Sequence, residues 1–328
     1  MSRPHPFLLH PVAKDYLWGG TRLKDDFSKE VVADTVAETW ECSTLPDGES
    51  IAASGEWIGL PLNEILQAHP EYLGEHAHGG AELPVLVKLI DAESDLSVQV
   101  HPSDEFARAH ENGQNGKTEM WYVVDADPDA RIAYGLHHAV SRERFLKAVE
   151  DGTVEKYLQM VPARKNDLFF IPPGTVHAIG AGCLIAEIQQ SSNLTYRLYD
   201  YDRTDRNGNK RPLHLEKGLA VATLEAMSEP RQPMRLLRYS GGIASELLCR
   251  CQYFQVERVL VNTEQRREMA AFQTSPDSFA VFLFLNGCGT MFCEDSMLQI
   301  FKGDCVFVPA GAPEIHLHAR TEFLRITC

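Results

Sequence analysis

The residues with chemical potential sit in three short blocks. In LSVQVHP (96–102), Ser97, Gln99 and His101 alternate with Leu96, Val98 and Val100, so on a strand the three polar side chains share one face. In EMWYVV (119–124), Glu119 falls on the same face as Trp121. In NDLFFIPPGTVH (166–177), Pro172 and Gly174 make a sharp turn that returns His177 towards the strands. Two imidazoles, one carboxylate and one amide oxygen form a nitrogen and oxygen donor set suited to zinc, with a position left for water or substrate. Each residue also has a plainer reading. His101, which precedes Pro102, could be a turn histidine, Glu119 could pair with a cation, and Gln99 could only hydrogen-bond.

Positioning these groups requires strands. Short apolar runs bounded by Gly, Pro, Asp and Asn recur at 83–90, 96–101, 119–124, 168–171, 184–189, 256–261, 279–285 and 305–309. Their length and branched or aromatic content predict an antiparallel barrel or sandwich. Helical spacing marks 62–73, 103–111 behind Ser103, a segment opened by Ser141 and closed before Gly152, and a further helix around 216–227. These helices are expected outside the sheets. The segment 303–314, GDCVFVPAGAPE, repeats the Asp, apolar run and Pro-x-Gly order of 166–177, which suggests a duplicated barrel. The Pro-, Arg- and Gly-rich stretch 228–242 would link the copies.

The 328 residues, 44% of them hydrophobic, suffice for two domains. A net charge of -15 without a basic block argues against nucleic acid or an anionic membrane as partner. It does not exclude an anionic small molecule, because a few cations inside a pocket outweigh a distant, salt-screened surface. Eight scattered cysteines without a C-x-x-C pair fit reduced thiols in a cytoplasmic protein. The N-terminal segment reads as neither signal peptide nor anchor.

Further blocks carry a family resemblance: Trp18-Gly19-Gly20, Glu38-Thr39-Trp40-Glu41, LPVLVKLIDAESDLSVQVHPSDEFA (83–107), GKTEMWYV (116–123), FFIPPGTVHAIGAG (169–182) and YRLYDYDR (196–203). In this order they resemble the type I mannose-6-phosphate isomerases (phosphomannose isomerases) of the cupin superfamily, in their shorter bacterial form. The likeness covers most of residues 1–215, and the C-terminal third matches loosely. The resemblance implies a mainly β fold of two cupin-type (jelly-roll) β-barrels, with additional helices on the N-terminal part. Residues 1–235 would be the catalytic domain and 236–328 a cupin-like domain without metal ligands, since Glu314 stands where the first copy has His177. It implies one Zn2+ per chain on His101, Glu119 and His177, with Gln99 as the fourth ligand found in some members. Arg197 would be catalytic, and Lys88, Ser97 and Lys117 would bind substrate.

The activity so implied interconverts mannose 6-phosphate and fructose 6-phosphate, moving hydrogen between C1 and C2 while charge on the carbonyl oxygen is stabilised. Proton transfer through an enediol and a hydride shift are both open, and no base is assigned. By composition alone Arg197 reads as an ion-pair partner in the cluster Arg197, Asp200, Asp202, Arg203, Asp205 and Arg206. The competing readings are a cupin isomerase of another sugar phosphate, a metal-dependent oxygenase, and a non-catalytic sugar-binding cupin. Nothing in the sequence speaks to oligomeric state.

Overall fold

In the computed structural model, residues 3–77, 82–204, 208–228, 230 and 235–328 are described. The expected apolar runs become strands of three antiparallel sheets, none of which closes into a barrel by strand pairing. A six-stranded sheet runs in the order Leu168–Ile171, Glu119–Ala126, Cys183–Gln190, Val85–Ala92, Glu38–Cys42, Val12–Lys14. A five-stranded sheet runs Tyr196–Tyr199, Val98–Val100, His177–Ile179, Arg131–Leu136, Leu158–Pro162. The third sheet has ten strands: those from Arg238 onward, joined by Phe7–His10 and Ile51–Ala52 from the N-terminal end.

Alternation along the strands explains the layering. Ile90, Trp121, Val123 and Ile185 from the six-stranded sheet pack against Ile132 and Ile179 from the five-stranded one. The opposite face of the five-stranded sheet, with Val98, Val100, Ala178, Tyr196 and Leu198, lies under Phe145, Ala148 and Leu219 of the helices. The opposite face of the six-stranded sheet, with Leu184, Ala186 and Ile188, packs on Val281, Leu283 and Leu285 of the ten-stranded sheet. The alternate residues Phe282 and Phe284 enter a separate C-terminal core with Ile315 and Phe323.

The helices form where their caps predict, with instructive differences. Ser103 and Ser141 accept the Phe106 and Arg144 N–H groups, starting helices Asp104–His110 and Arg142–Glu150. The 62–73 segment divides into a helix Leu62–Ala68 and a 3₁₀ turn Pro70–Leu73, because Pro70 cannot continue the α-helical ladder. The expected 216–227 helix is shorter, Leu215–Val221, since the Thr223 N–H is taken by Gly174 O at 2.8 Å. The two repeat segments share backbone form. Asn166 and Gly303 both have positive φ, strands Leu168–Ile171 and Cys305–Val308 follow, and Gly174 and Gly311 again have positive φ. Residues 229 and 231–234 of the expected link lie outside the described residues. All eight cysteines are unpaired, and among the described residues no helix is long and apolar enough to cross a membrane.

Candidate metal centre

Strand register assembles the donors. His177 pairs with Gln99, and Gln99 pairs in turn with Arg197, so three polar side chains sit side by side on the inward face of the five-stranded sheet. His101 comes directly after the Val98–Val100 strand that carries Gln99, and Glu119 opens the facing strand of the other sheet. Glu119 Oε1 lies 3.3 Å from His177 Nε2, and Glu119 Oε2 lies 3.4 Å from His101 Nε2. One ligand atom from each of the three residues lies within 4.8 Å of the others. The far nitrogen of each ring is fixed: Nδ1 of His101 faces Leu194 O at 3.0 Å, and Nδ1 of His177 faces Thr175 O at 2.8 Å. A carbonyl oxygen only accepts, so each Nδ1 donates and each Nε2 lone pair is presented to the centre.

Four buried atoms, His101 Nε2, His177 Nε2 and both Glu119 oxygens, have no hydrogen-bond partner. Lys117 Nζ comes within 2.9 Å of Glu119 Oε2, yet without hydrogen-bond alignment. Unpaired buried acceptors are costly, and converging ones are what a divalent cation satisfies. The electrostatics agree. Burial, then Lys117, pushes His101 down to about 3, and burial lowers His177. Burial alone would raise Glu119, but Lys117 and then the two imidazoles hold it well below the carboxylate range. All three are thus poised in the deprotonated state that a metal needs.

Behind the donors runs a buried belt of charge. Lys88 Nζ lies 3.1 Å from Glu187 Oε1 and 3.4 Å from Glu38 Oε2, above the Trp40 ring. Glu187 also accepts from Trp121 Nε1 at 2.8 Å and lies 3.9 Å from Lys117. Burial opposes the Lys88 charge, but Glu38 and Glu187 outweigh it and raise its proton affinity. Burial raises Glu187 despite Lys88. Glu38 and Glu187 were not singled out in the sequence. Glu187 carried a signal as the one charged residue of the strand CLIAEIQQ (183–190), whereas Glu38 opens the mixed segment ETWEC (38–42) and carried none of its own.

Among the described residues Arg197 is in none of the ion pairs that composition favoured. Asp200 is taken by Arg203 and Arg211, while Arg197 Nη1 donates to Pro212 O at 3.0 Å and its buried Nε has no partner. Asp205 and Arg206 of that cluster lie outside the described residues. Ser97 is buried immediately before the Val98–Val100 strand, and Gln99 is half-buried beside His177.

Residues 7–133 match the family model "Phosphomannose isomerase type I, catalytic domain". The chain is 37% identical over 317 residues to mannose-6-phosphate isomerase ManA of Bacillus subtilis, covering 97% of each protein. It belongs to the type I mannose-6-phosphate isomerase family. A second family member, the mannose-6-phosphate isomerase of Streptococcus mutans, is 36% identical over 304 residues, covering 93% of this chain and 92% of that one. The crystal structure of the mannose 6-phosphate isomerase from Bacillus subtilis superposes with a TM-score of 0.89 at 32% identity, covering 98% of this chain and 99% of the other. In this mannose-6-phosphate isomerase family member, the matched segment contains His101 and Glu119, while His177 and Arg197 come from the sequence beyond it.

Proposed function

We propose that this isomerase interconverts D-mannose 6-phosphate and D-fructose 6-phosphate at one zinc ion per chain, held by His101, Glu119, His177 and Gln99. The observation that carries the reading is the convergence between two sheets of His101 Nε2, His177 Nε2 and the Glu119 carboxylate, buried atoms without a hydrogen-bond partner. When bound, zinc supplies Lewis-acid polarisation of the substrate oxygens. Arg197, with a buried Nε free to donate, stands one strand from His177 across Gln99 and stabilises developing negative charge on oxygen. Lys88 and Lys117 lie among Glu38, Glu187 and Glu119, which disfavours a phosphate dianion there. We therefore assign both lysines to the oxygens of the sugar chain, with Ser97 as a further hydrogen-bonding group.

On the same reading, the sandwich of six- and five-stranded sheets corresponds to one cupin-type jelly roll and the ten-stranded sheet to a second. The catalytic part is then 1–235 and the metal-free part 236–328. In the second copy, Glu314 pairs with His316 at 3.3 Å and lies on no cluster of metal-type donors found among the described residues. The partner is a small sugar phosphate, and the unpaired cysteines suit a cytoplasmic setting.

The test is a coupled assay for fructose 6-phosphate from mannose 6-phosphate, with protein as purified, chelated, and zinc-restored. Activity lost on chelation and regained with zinc supports the reading. A folded, metal-loaded protein without activity on this substrate overturns it in favour of another sugar phosphate or a binding role. The same reaction in deuterium oxide separates proton transfer, which exchanges hydrogen with solvent, from a hydride shift, which retains it.

A further inference from the structure

Once the metal donors and the charged groups around them are accounted for, one neutral buried acceptor among the described residues of this region lacks a partner: Gln189 Oε1. The residue is fully buried on the Cys183–Gln190 strand. It lies two positions beyond Glu187 and therefore on the same face, the one whose Glu187 carboxylate meets Lys88, Lys117 and Trp121. Its register partner on the neighbouring strand is Glu119 itself.

The amide cannot reorient. Its Nε2 donates both hydrogens, to Gln190 O at 3.0 Å and to Ser192 O. A flipped amide would set its oxygen against two carbonyl oxygens, so the network fixes the assignment. The stretch that anchors it also contains Leu194, whose carbonyl holds the His101 ring, so Gln189 and a metal donor share one support. The result is a rigid, uncharged acceptor beside Glu119, and the nearby donor atoms of His101, His177 and Glu119 offer it only lone pairs. The Lys117 ammonium lies against Glu119 Oε2 at 2.9 Å and no hydrogen bond runs from it to Gln189, which leaves a ligand hydroxyl as the source of the hydrogen.

We propose that Gln189 is a specificity-determining residue whose Oε1 accepts a hydrogen bond from a sugar hydroxyl that the reaction leaves unchanged, at C3 or C4. The C1 and C2 oxygens react, the C5 oxygen opens and closes the ring and C6 carries phosphate, which leaves these hydroxyls as the neutral donors for a fixed amide oxygen. The inference rests on the isomerase reading above.

The experiment compares kcat/KM for mannose 6-phosphate and its 3-deoxy and 4-deoxy analogues in the wild-type enzyme and in Gln189→Met, with zinc content and melting temperature recorded for each. The wild type should lose roughly tenfold or more on one analogue, because the acceptor is then left buried and unpaired. Gln189→Met should lose about as much on mannose 6-phosphate itself, with unchanged zinc content, and nothing further on that analogue. A purely structural Gln189 would lower all three substrates equally, and an unchanged deoxy penalty in the variant overturns the proposal. If Gln189→Met does not fold, Gln189→Asn withdraws the acceptor by one methylene and is held to the same ratio. Equal turnover of both analogues by the wild type overturns it without any variant. Absence of mannose 6-phosphate turnover in the wild type would instead count against the isomerase reading.

Discussion

Leaving His101 Nε2, His177 Nε2 and Glu119 Oε1 buried without a hydrogen-bond donor costs ~1–3 kcal/mol each, so at the residue scale the metal-free protein carries a penalty that a bound cation would remove. That penalty has a pH signature. His101 is held at about 3 against 6.5 unfolded, and His177 is also lowered. Between these limits the unfolded chain binds more protons than the folded one, so stability falls as pH drops. Glu119, lowered from 4.5, adds to the loss below that value with the same sign. The melting temperature of chelated protein should therefore fall between pH 7 and pH 5. A flat profile would show that the imidazoles are not buried in their neutral form. For Arg197→Lys, kcat should fall by about 10²–10³ with a smaller change in KM and an unchanged circular dichroism spectrum. At this scale much of the site was legible. Alternation put Gln99 and His101 on one face, and the Pro-x-Gly turn delivered His177. Glu38 and Glu187 were not, because their meeting at Lys88 depends on strands paired far apart in sequence.

The elements that hold these residues are fixed by a few local constraints. Gly174 has φ +84°, and a Cβ there would lie 2.9 Å from Val221 O and 3.1 Å from Thr223 Oγ1. Gly174→Ala should cost ~1–3 kcal/mol and shift the turn that carries His177, lowering both melting temperature and zinc stoichiometry. Wild-type values for both would show that the turn does not position the ligand. Strand existence was legible from the apolar runs and helix starts from Ser103 and Ser141. Helix ends were less so. Pro70 signalled a break inside 62–73, whereas the stop at Val221 depends on a tertiary bond from Thr223 to Gly174.

At the scale of the whole molecule, beyond the packing of its face on the six-stranded sheet, the ten-stranded sheet is tied to the rest of the protein by strand pairing and by polar bridges. Phe7–His10 pairs with Cys305–Val308, so the N-terminal strand closes onto the C-terminal sheet. Arg258 bridges Glu246 at 3.0 Å and Glu322 at 2.7 Å, and Glu322 in turn meets the Tyr122 hydroxyl on the strand that begins with Glu119. Arg258→Met should cost ~3 kcal/mol by leaving two largely buried carboxylates short of a cation, while kcat of the folded fraction stays near wild type. A loss of kcat without loss of stability would mean that this contact tunes the site directly. Neither tie was legible in the sequence, since long-range strand pairing leaves no local signature. The repeated strand-and-turn segments at 166–177 and 303–314 were, because backbone conformation at Asn166, Gly174, Gly303 and Gly311 is a local property.

The most direct test of the account is an anomalous difference map collected above and below the zinc absorption edge on crystals of active enzyme. The account predicts one peak per chain, about 2.0–2.2 Å from His101 Nε2, His177 Nε2 and a Glu119 oxygen. An active, zinc-containing enzyme with no peak there, or with its only peak elsewhere, would contradict it.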